Sequence, residues 1–195
     1  RPVELGRYTP LAPPVAPFSG IAVSGDRAYL AAAAQGARII DIADPRKPTE
    51  VARIHAQHSA DIATAVGSNV FIGSNAPAVI GLDTSEQDLG PQVRAGNRPY
   101  VNVGGIATSV DGSLLYAAAE SGLLILDGSS TVACELGFLD AFAAGFESFS
   151  AVGLAGNLAY MGGDQFWIID VGNPRAPSLL GTSGVGDGIF RVQGM

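Results

Sequence analysis

An aspartate returns along this chain at Asp41, Asp83, Asp127 and Asp170, in steps of 42, 44 and 43 residues, each time at the end of an apolar run: "RIIDI", "VIGLD", "LLILD" and "WIIDV". A second anchor keeps the same pace. An aromatic stands in the preceding run at Tyr29, Phe71, Tyr116 and Tyr160, and the glycines Gly25, Gly67, Gly112 and Gly156 mark the turn before it. Three anchors in one register over four units define an internal repeat of about 43 residues, and a repeat of that length restricts the chain to stacked or radially arranged units.

Each unit reads as four short strands. In the first these are "GIAVS", "AYLAAA", "ARIIDIA" and "TEVARI", separated by the turns "GD", "QG" and "DPRKP", which is the length and punctuation of a β-meander. The third strand is apolar at odd and even positions alike, so both faces of its sheet are expected to be buried. Sheets stacked face to face around an axis satisfy that demand. The chain is therefore expected to be all-β, a β-propeller of four-stranded antiparallel blades forming a segment of a larger ring. The blades are expected at 18–55, 60–95, 104–139 and 150–182. Residues 1–10 ("RPVELGRY" parallels "KPTEVARI") would be the last strand of a preceding blade, and residues 185–195 the first strand of a next one.

The segments "GDRAYLAAAAQGARIIDIADPRKPTEVARI" and "GNLAYMGGDQFWIIDVGNPRAPSLLGT" resemble LVIVD-repeat β-propellers, and the third unit, "DGSLLYAAAESGLLILD", is also similar to YVTN-type propeller repeats. The resemblance implies the propeller fold and an exported, extracellular or cell-surface setting. It carries over no catalytic residue.

Composition narrows the partners. A net charge of −7, with Lys47 the only lysine among eleven basic residues, repels phosphate backbones and anionic lipid, so nucleic acid is not an expected partner. No apolar run reaches the roughly 18 residues that span a bilayer. Cys134 is alone, which removes intrachain disulfides and cysteine-rich zinc sites. The absence of Met at position 1 suggests a processed or excised chain.

The repeated aspartates are expected to be structural, because a carboxylate at a strand end can accept N–H bonds from the following turn. The histidines His55 and His58, with Asp61 behind them, lie between two units and near a propeller's central opening. In an extended segment the two imidazoles point to opposite faces, so no metal or cofactor is expected there. Calcium at "DTSEQDLG" is likewise unexpected, for Asp83, Ser85 and Asp88 lack the spacing of a calcium loop. The connection "FLDAFAAGFESFS" holds Phe138, Phe142, Phe146 and Phe149, whose spacing predicts one side of a short helix, packed on the core or turned out as an adhesive patch. No nucleophile elbow, phosphate loop or dinucleotide fingerprint occurs. Two functions follow. The first is a non-catalytic interaction or scaffold module that binds a protein partner or self-associates through open blade edges, with contacts from His55, His58, Asp61, Tyr100, Asn102, Phe142, Phe146 and Glu147. The alternative is a hydrolase or lyase whose site, at the central opening, uses His58, Asp61, Tyr100, Asn102 and Glu147.

Overall fold

The computed structural model describes residues 1–10, 17–33, 35–54, 60–66, 69–74, 79–83, 92–94, 102–129, 134–141, 149–163 and 165–183. They form sixteen strands in four sheets. The first sheet holds β1 (Gly20–Ser24), β2 (Arg27–Ala31), β3 (Ala37–Asp41) and β4 (Thr49–Ile54), and the second β5 (Ala60–Val66), β6 (Asn69–Ser74), β7 (Val79–Asp83) and β8 (Gln92–Arg94). The third holds β9 (Val103–Thr108), β10 (Leu114–Ala119), β11 (Gly122–Asp127) and β12 (Glu135–Asp140), and the fourth β13 (Phe149–Ala155), β14 (Leu158–Gly163), β15 (Phe166–Asp170) and β16 (Ser178–Ser183). Every sheet is an antiparallel meander in chain order, so each is drawn from a single period of the sequence.

Local chemistry explains the turns. Gly25, Gly112 and Gly156 have φ of +54°, +72° and +58°, a conformation that costs glycine little and other residues more. At the same end of the sheet, where the third strand ends, the carboxylate of the repeated aspartate accepts the amide N–H two residues on: Ala43 to Asp41 and Ser129 to Asp127, both at 2.9 Å, and Gly172 to Asp170 at 2.8 Å. In the proline turns Asp44 and Asn173 do the same for Arg46 and Arg175, at 3.0 and 3.1 Å. These are the turn contacts expected of the repeat, with the side chain of Asp83 outside the described residues.

The innermost strands β1, β5, β9 and β13 contact one another in succession, which stacks the sheets face to face. Three cores fill the three junctions. Tyr29, Ile39, Val70 and Ile72 lie between the first and second sheets, Phe71, Leu115 and Leu124 between the second and third, and Tyr116, Ile125, Met161 and Trp167 between the third and fourth. The repeat aromatic of each of the first three sheets thus faces the sheet that follows it. Close approach at the inner strands depends on small residues: a Cβ on Gly20 would come within 2.8 Å of Ile62 Cα, and one on Gly105 within 2.7 Å of Ala151 Cα. Among the described residues no contact of comparable extent joins β13 to β1, so the four sheets form an open arc.

The connection expected as a phenylalanine-lined helix is resolved differently. Phe138 belongs to β12 and packs against the core between the second and third sheets. Phe149 belongs to β13 and packs edge-on against Trp167, ring centroids 4.9 Å apart, in the core between the third and fourth. One helix face cannot carry both. Strand alternation and sheet stacking overrode the helical spacing at these two rings, and Phe142 and Phe146 lie outside the described residues. Residues 1–10 form no strand, and residues 185–195 lie outside the described residues.

Candidate functional site

Of the residues singled out from sequence, His55, His58, Tyr100, Phe142, Phe146 and Glu147 lie outside the described residues. Asp61 is in β5 and half-buried, whereas Asn102 immediately precedes β9 and is exposed. Asn102 is engaged locally: its Nδ2 donates to Glu120 Oε1 at 2.5 Å, and its carbonyl accepts the Glu120 N–H at 3.1 Å. That pair fastens the entrance of β9 to the end of β10. Among the described residues no group of three or more His, Cys, Asp or Glu side chains is gathered to hold a metal.

The surfaces with unused chemistry are the two ends of the arc. On the fourth sheet the pairing Tyr160↔Ile168 and Gly162↔Phe166 puts these residues on the face opposite Ala159, Met161, Trp167 and Ile169. Tyr160 is the repeat aromatic of this sheet, and no further sheet covers it among the described residues. Its ring stacks on Phe166 with centroids 5.9 Å apart, and Phe166 is 36% exposed. On the same face a Cβ at Gly153 or Gly181 would meet nothing within 4 Å.

The first sheet ends differently. Its outward face carries Ile21, Val23, Ala28, Leu30, Arg38 and Ile40, opposite the residues that face the second sheet. Ile21 and Val23 are 61% and 55% exposed. Their counterparts in the inner strands of the later sheets, including Ala63, Ile106, Val152 and Leu154, pack into the junction cores. Arg38 occupies the position that Leu124 and Trp167 hold in the third and fourth sheets, yet it is only 3% exposed and is the one buried charged residue described.

The N-terminal segment accounts for that burial. Arg38 donates from Nη1 to Glu50 Oε2 at 2.9 Å and to the Tyr8 hydroxyl at 3.2 Å, and from Nη2 to Gln35 Oε1 at 2.9 Å. The Tyr8 hydroxyl donates in turn to Glu50, which also pairs with Arg53. Burial raises the Glu50 carboxyl, but hydrogen bonds from Arg53, Tyr8 and Arg38 outweigh it and hold the group at about 2. For Arg38 burial works against the charge, and the bonds to Tyr8 and Glu50 reverse that and raise its pKa. Two residues earlier Gly6 lies on the proline turn of the first sheet, where a Cβ would collide with the Pro45 carbonyl and crowd Arg46 Cα. Gly137 of β12 meets the carbonyl of Pro174 and Cα of Arg175 in the fourth sheet in the same way. Gly6 and Tyr8 therefore set the N-terminal segment on the first sheet, with Gly6 placed on its proline turn as Gly137 of β12 is on that of the fourth. The sequence signal was present in the repeated Glu-Leu-Gly at 4–6 and 135–137, and in Arg38 interrupting an otherwise apolar run.

The LVIVD repeat family model matches residues 18–55 and 149–183, which contain the first and fourth sheets. The chain carries LVIVD repeats at these two sites within a β-propeller fold. Solved structures agree on the fold. The Cps50 (Swd1) β-propeller domain of Myceliophteria thermophila is similar over 86% of this chain and 58% of its own length, with 12% identity and a TM-score of 0.65. A chain of the Mitotic Checkpoint Complex is similar over 84% and 51%, with 16% identity and a TM-score of 0.65. The computationally designed Ika4 protein is covered completely, over 88% of this chain, with 12% identity and a TM-score of 0.64. The LVIVD-repeat chain thus spans all of the designed protein but little more than half of the two natural ones. No curated protein matches the sequence. No helix among the described residues is long and apolar enough to cross a membrane.

Proposed function

We propose that this LVIVD-repeat propeller is a non-catalytic interaction or scaffold module that binds a protein partner, in an exported, cell-surface or extracellular assembly. The observation that carries the reading is the outer face of the fourth sheet. Tyr160, Phe166 and Ile168 form an apolar, aromatic surface on a rigid sheet, and such a surface on a folded protein favours contact with another polypeptide. Asn102, which the catalytic alternative would use, is already held by Glu120. A similar propeller taken from the Mitotic Checkpoint Complex shows the fold at work within a protein assembly. The exported setting rests on the LVIVD resemblance.

A photo-crosslinking amino acid at Phe166, introduced in the cell that makes the protein, tests the reading. A discrete protein adduct, lost with Gly181→Val, is expected. An unreacted chain together with turnover at the central opening would overturn it. Accessibility of the intact cell's protein to added protease tests the setting.

A further inference from the structure

The two ends of the arc are the two halves of one junction. The junction of the third and fourth sheets brings the repeat aromatic Tyr116, the inner strand β9 and Gly137 of the outer strand β12 against the apolar face and proline turn of the next sheet. The fourth sheet ends with the first half unmatched: Tyr160, Ala151 and Gly181 correspond by strand pairing to Tyr116, Gly105 and Gly137. Gly137 is needed because the Pro174 carbonyl leaves no room for a Cβ, whereas Gly181 meets nothing among the described residues that requires it. The first sheet ends with the second half unmatched. Its inner strand leaves Ile21 and Val23 exposed, and among the described residues its outer part is met by the N-terminal segment through Gly6 on Pro45 and Tyr8 on Arg38.

Chemistry favours a phenol over Arg38. Its Nε is buried without a partner, and the counterpart of Arg38 in the fourth sheet, Trp167, shares a core with the aromatic Tyr116 of the sheet before it. A tyrosine arriving from a preceding sheet offers the guanidinium both a ring face and a hydroxyl oxygen. We propose that the chain associates head to tail with a second copy of itself. The fourth sheet of one copy docks on the first sheet of the next, where Gly181 replaces Gly6 on the Pro45 carbonyl and Tyr160 replaces Tyr8 on Arg38. Residues 1–8 are then a displaceable cover. The contact is heterologous and repeats the interface that the fold already uses between its third and fourth sheets. This inference rests on the interaction-module reading and names the partner.

Sedimentation velocity of the 195-residue chain at physiological salt, which screens the repulsion between two copies of net charge −7, tests it with two glycine variants. Gly6→Val cannot seat on Pro45, so it uncovers the first sheet and is expected to tighten association at least about tenfold over wild type. Adding Gly181→Val to that variant is expected to return a folded monomer of 19.8 kDa, because the new side chain points into open space within its own copy and collides only in the docked pair. Circular dichroism confirms that the double variant is folded. A Gly6→Val chain that stays monomeric, or one whose association survives Gly181→Val, would overturn the proposal. If Phe166 then crosslinks only to proteins of other sequence, self-docking is wrong and the module reading stands; if it crosslinks to nothing, both fall.

Discussion

Gly6 lies against the backbone carbonyl of Pro45 so closely that a Cβ would overlap the oxygen, and it does so without belonging to any strand. Glycine at this point is a steric requirement and not a matter of backbone freedom. Because Gly137 repeats the contact on Pro174, the segment carries the geometry of an outer strand with none of its sheet around it. That coincidence ties the unpaired N-terminus to the way the sheets stack.

Acid should loosen this segment first. Glu50 is held at about 2 against an ordinary value of 4.5, so its contribution to stability is complete above about pH 4.5 and is lost as pH falls toward 2. The size is about 1–3 kcal/mol. Urea unfolding followed between pH 6 and pH 2.5 should show this loss in the wild type. Glu50→Gln should be less stable at pH 6 and have a flatter acid limb.

Trp167 and Phe166 are neighbours on opposite faces of β15, one in a core and the other at the open end. Trp167→Ala should lose about 3–5 kcal/mol. Phe166→Ala should change stability by less than about 1 kcal/mol while weakening any contact made at the open face. Urea midpoints at equal denaturant slope separate the two.

Asp170→Ala removes the carboxylate that accepts the Gly172 amide. The expected cost is about 0.5–1.5 kcal/mol, with Asp41→Ala and Asp127→Ala behaving alike. A loss of partner binding at unchanged stability would show that these aspartates do more than close turns.

Much of the fold was legible because its causes are local. The positive-φ glycines at 25, 112 and 156 and the aspartates at 41, 127 and 170 each act within two or three residues, so their spacing alone exposed the strand count and the period. The apolar run "LLILD" likewise matched a strand buried on both faces. Contacts between periods were harder. Nothing local distinguishes Gly6 from Gly137 or Gly181, and Arg38 gains meaning only when strand pairing sets it beside Leu124 and Trp167. Phe138 and Phe149 misled because their helical spacing competed with two strands that a stacked fold needs more. The loop residues proposed as a site, His55 and His58 among them, lie outside the described residues, and the chemistry on view is at the ends of the arc.

The same substitution at two corresponding glycines tests the stacking most directly. Gly137→Val and Gly181→Val, compared by urea unfolding at a concentration where the chain is monomeric, should differ sharply. The account predicts a loss of about 1–3 kcal/mol or more at Gly137, where the Pro174 carbonyl stands in the way, and a change below about 0.5 kcal/mol at Gly181. Equal costs at the two positions would contradict it, for the third sheet would then not be seated on the proline turn of the fourth.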